Sequence, residues 1–217
     1  MTERSDSPTQ HADLRGPDTA LLKQAEGTGI DKDPAKLLAY GQEFARLRDE
    51  AITILEIGVK VGGSLRLWSN YFPRAKIVGA DIRPRRFGRP PRTLIVEGDQ
   101  SDPVFLDRLA TDHGPFGIVI DDGSHVPEHQ ILAFENLFPH LQSGGLYICE
   151  DIHTSITKFS EHPSAIAYFV TLMDRLMSGK LPDDEGRLLW RDVARVSFLS
   201  RAVLVAKLDR GPKYRPL

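Results

Sequence analysis

The 217-residue chain contains a single cysteine, Cys149, so no internal disulfide can form. Cys149 falls in the apolar run Leu146-Tyr147-Ile148-Cys149, where a packed core thiol is expected, in keeping with a reducing cytoplasm. Long apolar runs are also missing. The opening stretch MTERSDSPTQHADLRGPD is polar, so neither a signal peptide nor a spanning helix is expected in it. Charge of one sign is not in excess: 28 Lys and Arg against 30 Asp and Glu leave a formal −2. That balance gives nucleic acid and anionic membrane no electrostatic footprint as main partners. No His and Cys spacing suits tetrahedral zinc.

What is present reads as one α/β domain. Residues 1–18 lack apolar periodicity and are expected to form a flexible tail, leaving 19–217 as a single domain. Leu37, Leu38, Tyr40, Phe44 and Leu47 recur at helical spacing and predict an amphipathic helix from Asp33 to Glu50. Apolar strands are expected at Ile52–Leu55, Lys76–Ala80, Thr93–Val96, Ile118–Ile120 and Leu146–Cys149. Helices are expected between them, at Ser64–Phe72, Asp102–Asp112 and Glu128–Leu141. This rhythm predicts a mostly parallel sheet with helices on both faces. A further helix, Ser164–Met177, and a polar loop at 182–186 lead to two β-rich runs, Val193–Leu199 and Ala202–Leu208. Only Ser200 and Arg201 separate those runs, too few residues for a parallel crossover, so they should form an antiparallel hairpin and complete seven strands.

Chemistry concentrates where strands end. Thr53 to Ser64 reads as strand, glycine-rich turn and helix start, with Ser64 suited to capping. Glycines at such a turn admit close approach of a ligand at the carboxyl edge of the sheet. A dinucleotide fingerprint would need glycine at position 60, which is Lys60, and this weakens a nicotinamide oxidoreductase reading. Asp81 ends the second strand, where a carboxylate can accept from ribose hydroxyls, and Asp99-Gln100 follows the third. Strands four and five both end in carboxylates, in Asp121-Asp122-Gly123-Ser124-His125 and Glu150-Asp151-Ile152-His153. Neighbouring strands, about 4.8 Å apart, would bring these acids together, and clustered carboxylates need a cation or shared protons. An all-oxygen site suits a hard ion such as Mg²⁺. His129 and His140 lie on a predicted helix and read as surface or packing residues; the basic loop 83–92 reads as a solvated connection.

The string Glu56-x-Gly58-x-x-x-Gly62-Gly63, with the acid pattern, resembles class I S-adenosylmethionine-dependent methyltransferases, a Rossmann-like fold. The fuller wording is similar to metal-dependent sugar O-methyltransferases of macrolide and tetracenomycin antibiotic biosynthesis, the mycinamicin type. It is carried by Gly62-Gly63-Ser64-Leu65-Arg66-Leu67-Trp68, Gly98-Asp99-Gln100-Ser101-Asp102, Asp121 to His125, Leu137 to Leu141 and Gly144 to Asp151. The resemblance implies S-adenosylmethionine held by Glu56, Gly58, Gly62, Gly63, Ser64 and Asp81, with Asp99 or Gln100 beside the adenine. It implies Mg²⁺ on Asp122, Glu150 and Asp151, and His125 as general base. The partner implied is a small-molecule hydroxyl acceptor, most closely a sugar of a glycosylated natural product, in a cytoplasmic enzyme; homo-oligomerisation is left open. The chain departs from the pattern in a shorter glycine loop and in His153 or Thr157 where an aromatic residue is expected near position 153 or 157, and it is expected to lack the extra N-terminal domain of that type. A catechol-type methyltransferase and a non-catalytic S-adenosylmethionine-binding module stay open as alternatives.

Overall fold

A computed structural model describes residues 19–178 and 190–211. The expected tail 1–18 and the polar loop 182–186 lie outside the described residues. The elements run α1 (Ala20–Ala25), α2 (Pro34–Phe44), β1 (Thr53–Ile57), α3 (Gly63–Tyr71), β2 (Lys76–Asp81), β3 (Thr93–Glu97), α4 (Pro103–His113) and β4 (Phe116–Asp121). They continue with α5 (Pro127–Leu137), β5 (Leu141–Glu150), α6 (Thr154–Thr157), α7 (Ala165–Ser178), β6 (Val193–Leu199) and β7 (Ala202–Lys207). The seven strands form one sheet ordered β3-β2-β1-β4-β5-β7-β6. Strands β1 to β5 pair in parallel, while β7 runs antiparallel to both β5 and β6. The order reverses between β1 and β4, and such a switch point opens a crevice at the carboxyl edge.

The central strands are buried on both faces, which is why they read as continuous apolar runs. Val119, Tyr147, Cys149 and Val203 point to one core, with Phe105 of α4, Phe134 of α5 and Phe169 of α7. Ile118, Ile120, Ile148 and Leu204 point to the other, with Tyr40 and Phe44 of α2 and Trp68 and Tyr71 of α3. Phe134 is fully buried and meets Tyr147 and Phe169 edge-on, both at 5.1 Å between centroids. Truncating it to Ala would cost about 3–5 kcal/mol. Cys149 is a free, buried thiol, and burial pushes its pKa up, as befits a core residue.

Two helices are shorter than the periodicity predicts. The one from Pro127 ends at Leu137, because Pro139 has no N–H to continue it; a 3-10 turn follows and β5 begins at Leu141. The entry helix ends at Phe44 and gives way to a 3-10 turn at Ala45–Leu47. Its start follows local rules: Pro34 occupies the first turn and the Asp33 carboxylate accepts from Ala35 N at 2.8 Å. The closing hairpin turns through Ser200 and Arg201, the latter at φ +60°.

Candidate active site

A cavity of about 770 Å³ opens at the carboxyl edge, lined by residues 58–61, Gly63 and Ser64 of the glycine turn, by Asp81, Asp122, His125 and Asp151, and by Lys32. The register explains the convergence. Ile57 stands beside Asp121 and Asp121 beside Cys149, so one residue further on Asp122 and Glu150 leave the sheet side by side. Gly58 has φ +89°, and a Cβ there would collide with the Asp122 carbonyl oxygen, so glycine is required for both conformation and space. Asp81 fixes this turn from across the crevice: its Oδ2 accepts from Val59 N at 2.9 Å and Lys60 N at 3.2 Å.

A second cavity of about 270 Å³ adjoins the first, sharing Gly58, Asp81 and Gly123 and adding Ile82, Asp99, Gln100 and His129. Ile82 offers it an exposed apolar side chain. Asp99 accepts from Ser101 N and Ser101 Oγ, both at 2.8 Å, and these bonds hold its carboxyl below the usual value. Gln100 is buried and its Nε2 donates to both oxygens of Asp121.

Among the described residues, Asp122, His125 and Asp151 each offer one donor atom within 4.8 Å of the others. Two carboxylate oxygens at that spacing fit a hard divalent cation whose remaining positions go to water or substrate oxygens, with the imidazole close enough to take a proton from one of them. His125 Nε2 lies 3.8 Å from Asp151 Oδ2, and His153 Nδ1 lies 3.9 Å from Asp151 Oδ1. Three lining residues, Lys60, His125 and Asp151, hold left-handed backbone at φ +51°, +57° and +53°. Such conformations are uncommon with a Cβ and concentrate at functional sites.

Glu150 does not join that group. Burial by itself would raise its pKa, but the ammoniums of Lys32 and Lys36 prevail and hold it low. Lys32 Nζ donates to Glu150 Oε1 at 2.5 Å and to Asp122 Oδ2 at 2.8 Å, and Lys36 Nζ donates to Glu150 Oε2 at 2.9 Å. Burial likewise opposes the charge of Lys32, yet Glu150 and Asp122 outweigh it and raise its pKa, keeping the ammonium charged.

In five further details the placement differs from expectation. Glu56 is fully buried and lines neither of these two cavities; its Oε2 accepts from Ser64 Oγ at 2.7 Å and Trp68 Nε1 at 3.2 Å. Ser64 therefore does not cap its helix, and Gly62 takes the cap position at φ +75°. Gly62 stays out of the cavity lining, because the Phe87 ring covers it. His129 is not a bystander: it lines the second cavity and its Nδ1 is 3.0 Å from Ser124 Oγ. The basic loop is more than a connection, since Arg83 and Arg85 reach the rim of the first cavity. Sequence reasoning missed Lys32 and Lys36. Their trace is Lys36 itself, a charge one turn before Tyr40 on the buried face of α2, where a lysine needs a partner.

The chain is 42% identical over 162 residues to the 8-demethyl-8-alpha-L-rhamnosyl tetracenomycin-C 2'-O-methyltransferase of Streptomyces olivaceus, covering 69% of this chain and 43% of that protein. It is 38% identical over 163 residues to the mycinamicin VI 2''-O-methyltransferase of Micromonospora griseorubida, covering 68% and 41%. The chain is a homologue of sugar O-methyltransferases. Among solved structures, the MycE methyltransferase of the mycinamycin pathway, in complex with Mg, SAH and mycinamycin VI, superposes with a TM-score of 0.77 at 32% identity. That match covers 94% of this homologue and 57% of MycE, and places its sheet in the Rossmann-like methyltransferase fold. The match spans well under half the length of the two relatives, 43% and 41%. No family model matches the chain.

Proposed function

We propose that this chain is an S-adenosylmethionine-dependent, divalent-cation-dependent O-methyltransferase, with residues 19–217 as its methyltransferase domain and a sugar hydroxyl of a glycosylated natural product as acceptor. The observation that carries this reading is the meeting, in one cavity, of the glycine turn and the Asp122, His125 and Asp151 group. Homology to sugar O-methyltransferases supports the choice of acceptor.

When bound, the cofactor supplies the electrophilic methyl group and the cation supplies charge that favours an ionised acceptor oxygen. The chain's own residues do the rest. Asp122 and Asp151 would hold the cation, and the turn at Gly58 lets the cofactor approach backbone. Asp81 stands between the two cavities, where a ribose would reach it, and Asp99 and Gln100 border the smaller one, suited to adenine. His125 takes the acceptor proton on Nε2, where Asp151 Oδ2 at 3.8 Å stabilises the imidazolium. Positioning and fixed charge supply most of the acceleration.

The test is methyl transfer from S-adenosylmethionine to glycosylated acceptors and, in parallel, to catechol, with chelator and Mg²⁺ add-back. Turnover on the glycoside that chelator abolishes supports the reading. Full activity in chelator after exhaustive dialysis overturns the cation, preference for catechol overturns the sugar, and cofactor binding without any turnover overturns the enzyme.

A further inference from the structure

Lys32 has no task in the chemistry above, yet it occupies the centre of the acid cluster. Its side chain is only 4% exposed and its Nζ lies between Asp122 Oδ2 and Glu150 Oε1, at 2.8 and 2.5 Å. Lys36 stands to one side, 2.9 Å from Glu150 Oε2 and 3.8 Å from Asp151 Oδ1. An ammonium and a hard divalent cation make the same demand on this site, which is convergent carboxylate oxygen. An ion that engaged Asp122 Oδ2 and Glu150 Oε1 together would need the volume that Lys32 Nζ fills.

Charge argues the same way. Asp122, Glu150 and Asp151 against two ammoniums leave one net negative charge. A divalent cation in place of Lys32 makes the group neutral, whereas one added beside it leaves a net positive charge in a mostly buried cluster, which is costly. The way out is short, because Lys32 also lines the first cavity.

We propose that Lys32 is a displaceable internal cation: its ammonium holds the position between Asp122 and Glu150 that a divalent metal takes, and metal binding drives Lys32 out into the cavity. The inference rests on the metal-dependent reading above. It also gives Glu150 a place in the metal site, opened only when Lys32 withdraws. The site is thereby kept neutralised before loading, and its affinity for metal is set by the cost of moving one lysine.

The experiment titrates Mn²⁺ into S-adenosylhomocysteine-bound protein, reading free Mn²⁺ by electron paramagnetic resonance. Wild type is compared with Lys32→Met, Lys36→Met and Asp122→Asn. Lys32→Met should bind at least about tenfold more tightly than wild type. Lys36→Met removes the same charge without vacating the position and should gain less; Asp122→Asn should lose binding. A second measurement needs no variant. Acetic anhydride labelling of wild type, read by mass spectrometry, should accelerate several-fold at Lys32 on saturation with Mn²⁺ and stay constant at Lys60. Equal or weaker Mn²⁺ binding in Lys32→Met, an equal gain in Lys36→Met, or unchanged labelling of Lys32 overturns the displacement. Absence of Mn²⁺ binding in every protein overturns the metal reading with it, whereas binding that only Asp122→Asn abolishes leaves that reading standing.

Discussion

Gln100 grips Asp121: its Nε2 donates to the two carboxylate oxygens at 2.7 and 2.8 Å, and its Oε1 accepts from Ser124 N at 3.0 Å. One side chain after β3 therefore fixes both ends of the turn that carries Asp122 and His125. Gln100→Leu should cost about 1–3 kcal/mol, since it takes the shortest hydrogen bonds from a buried carboxyl and leaves it Gly123 N at 3.3 Å and Tyr147 OH at 3.4 Å. Urea denaturation showing a change below about 0.5 kcal/mol would sink this positioning role.

The glycines differ in what they tolerate. A Cβ at Gly58 meets backbone at Asp122, whereas one at Gly62 meets the Phe87 ring, which can move. Gly58→Ala should weaken S-adenosylhomocysteine binding at least tenfold by calorimetry, and Gly62→Ala should weaken it less. Equal losses, or none at Gly58, would contradict this placement of the cofactor.

His125 sits at φ +57°, a conformation that asparagine tolerates well. His125→Asn should thus stay folded yet lose about 10²–10⁴ in turnover as a missing general base. Wild-type turnover in the folded variant would remove His125 from proton transfer.

Buried carboxyls set the pH dependence of stability. Burial pushes Glu56 up to about 8 and Asp121 up to about 7, from ordinary values of 4.5 and 3.8. In this range the folded state binds more protons than the unfolded one, so stability is greatest below about pH 4 from these groups and falls as pH rises towards 8. A tenfold difference in proton affinity between the two states corresponds to about 1.4 kcal/mol. Glu56→Gln can still satisfy Ser64 and Trp68, so its melting temperature should fall less between pH 5 and 8. A variant whose melting follows the wild-type slope would show that Glu56 is not the source.

Much was legible in the sequence because it depends on near neighbours. The order of the strands along the chain, the entry helix, the two-residue hairpin and the carboxylates after β4 and β5 follow from periodicity and turn chemistry, which act over a few residues. Motif wording carried the likeness to sugar O-methyltransferases, which no local rule contains. Only the tertiary structure decided where each acid's charge is spent. Glu56, read as a cofactor contact, is turned inward to Ser64 and Trp68, and Glu150 is given to two lysines more than 100 residues earlier in the chain. The role of Glu150 is fixed by the opposite charge that packing brings within about 4 Å of it. That partner comes from α2 and the segment before it, folded over the end of the sheet, at a separation no sequence spacing encodes.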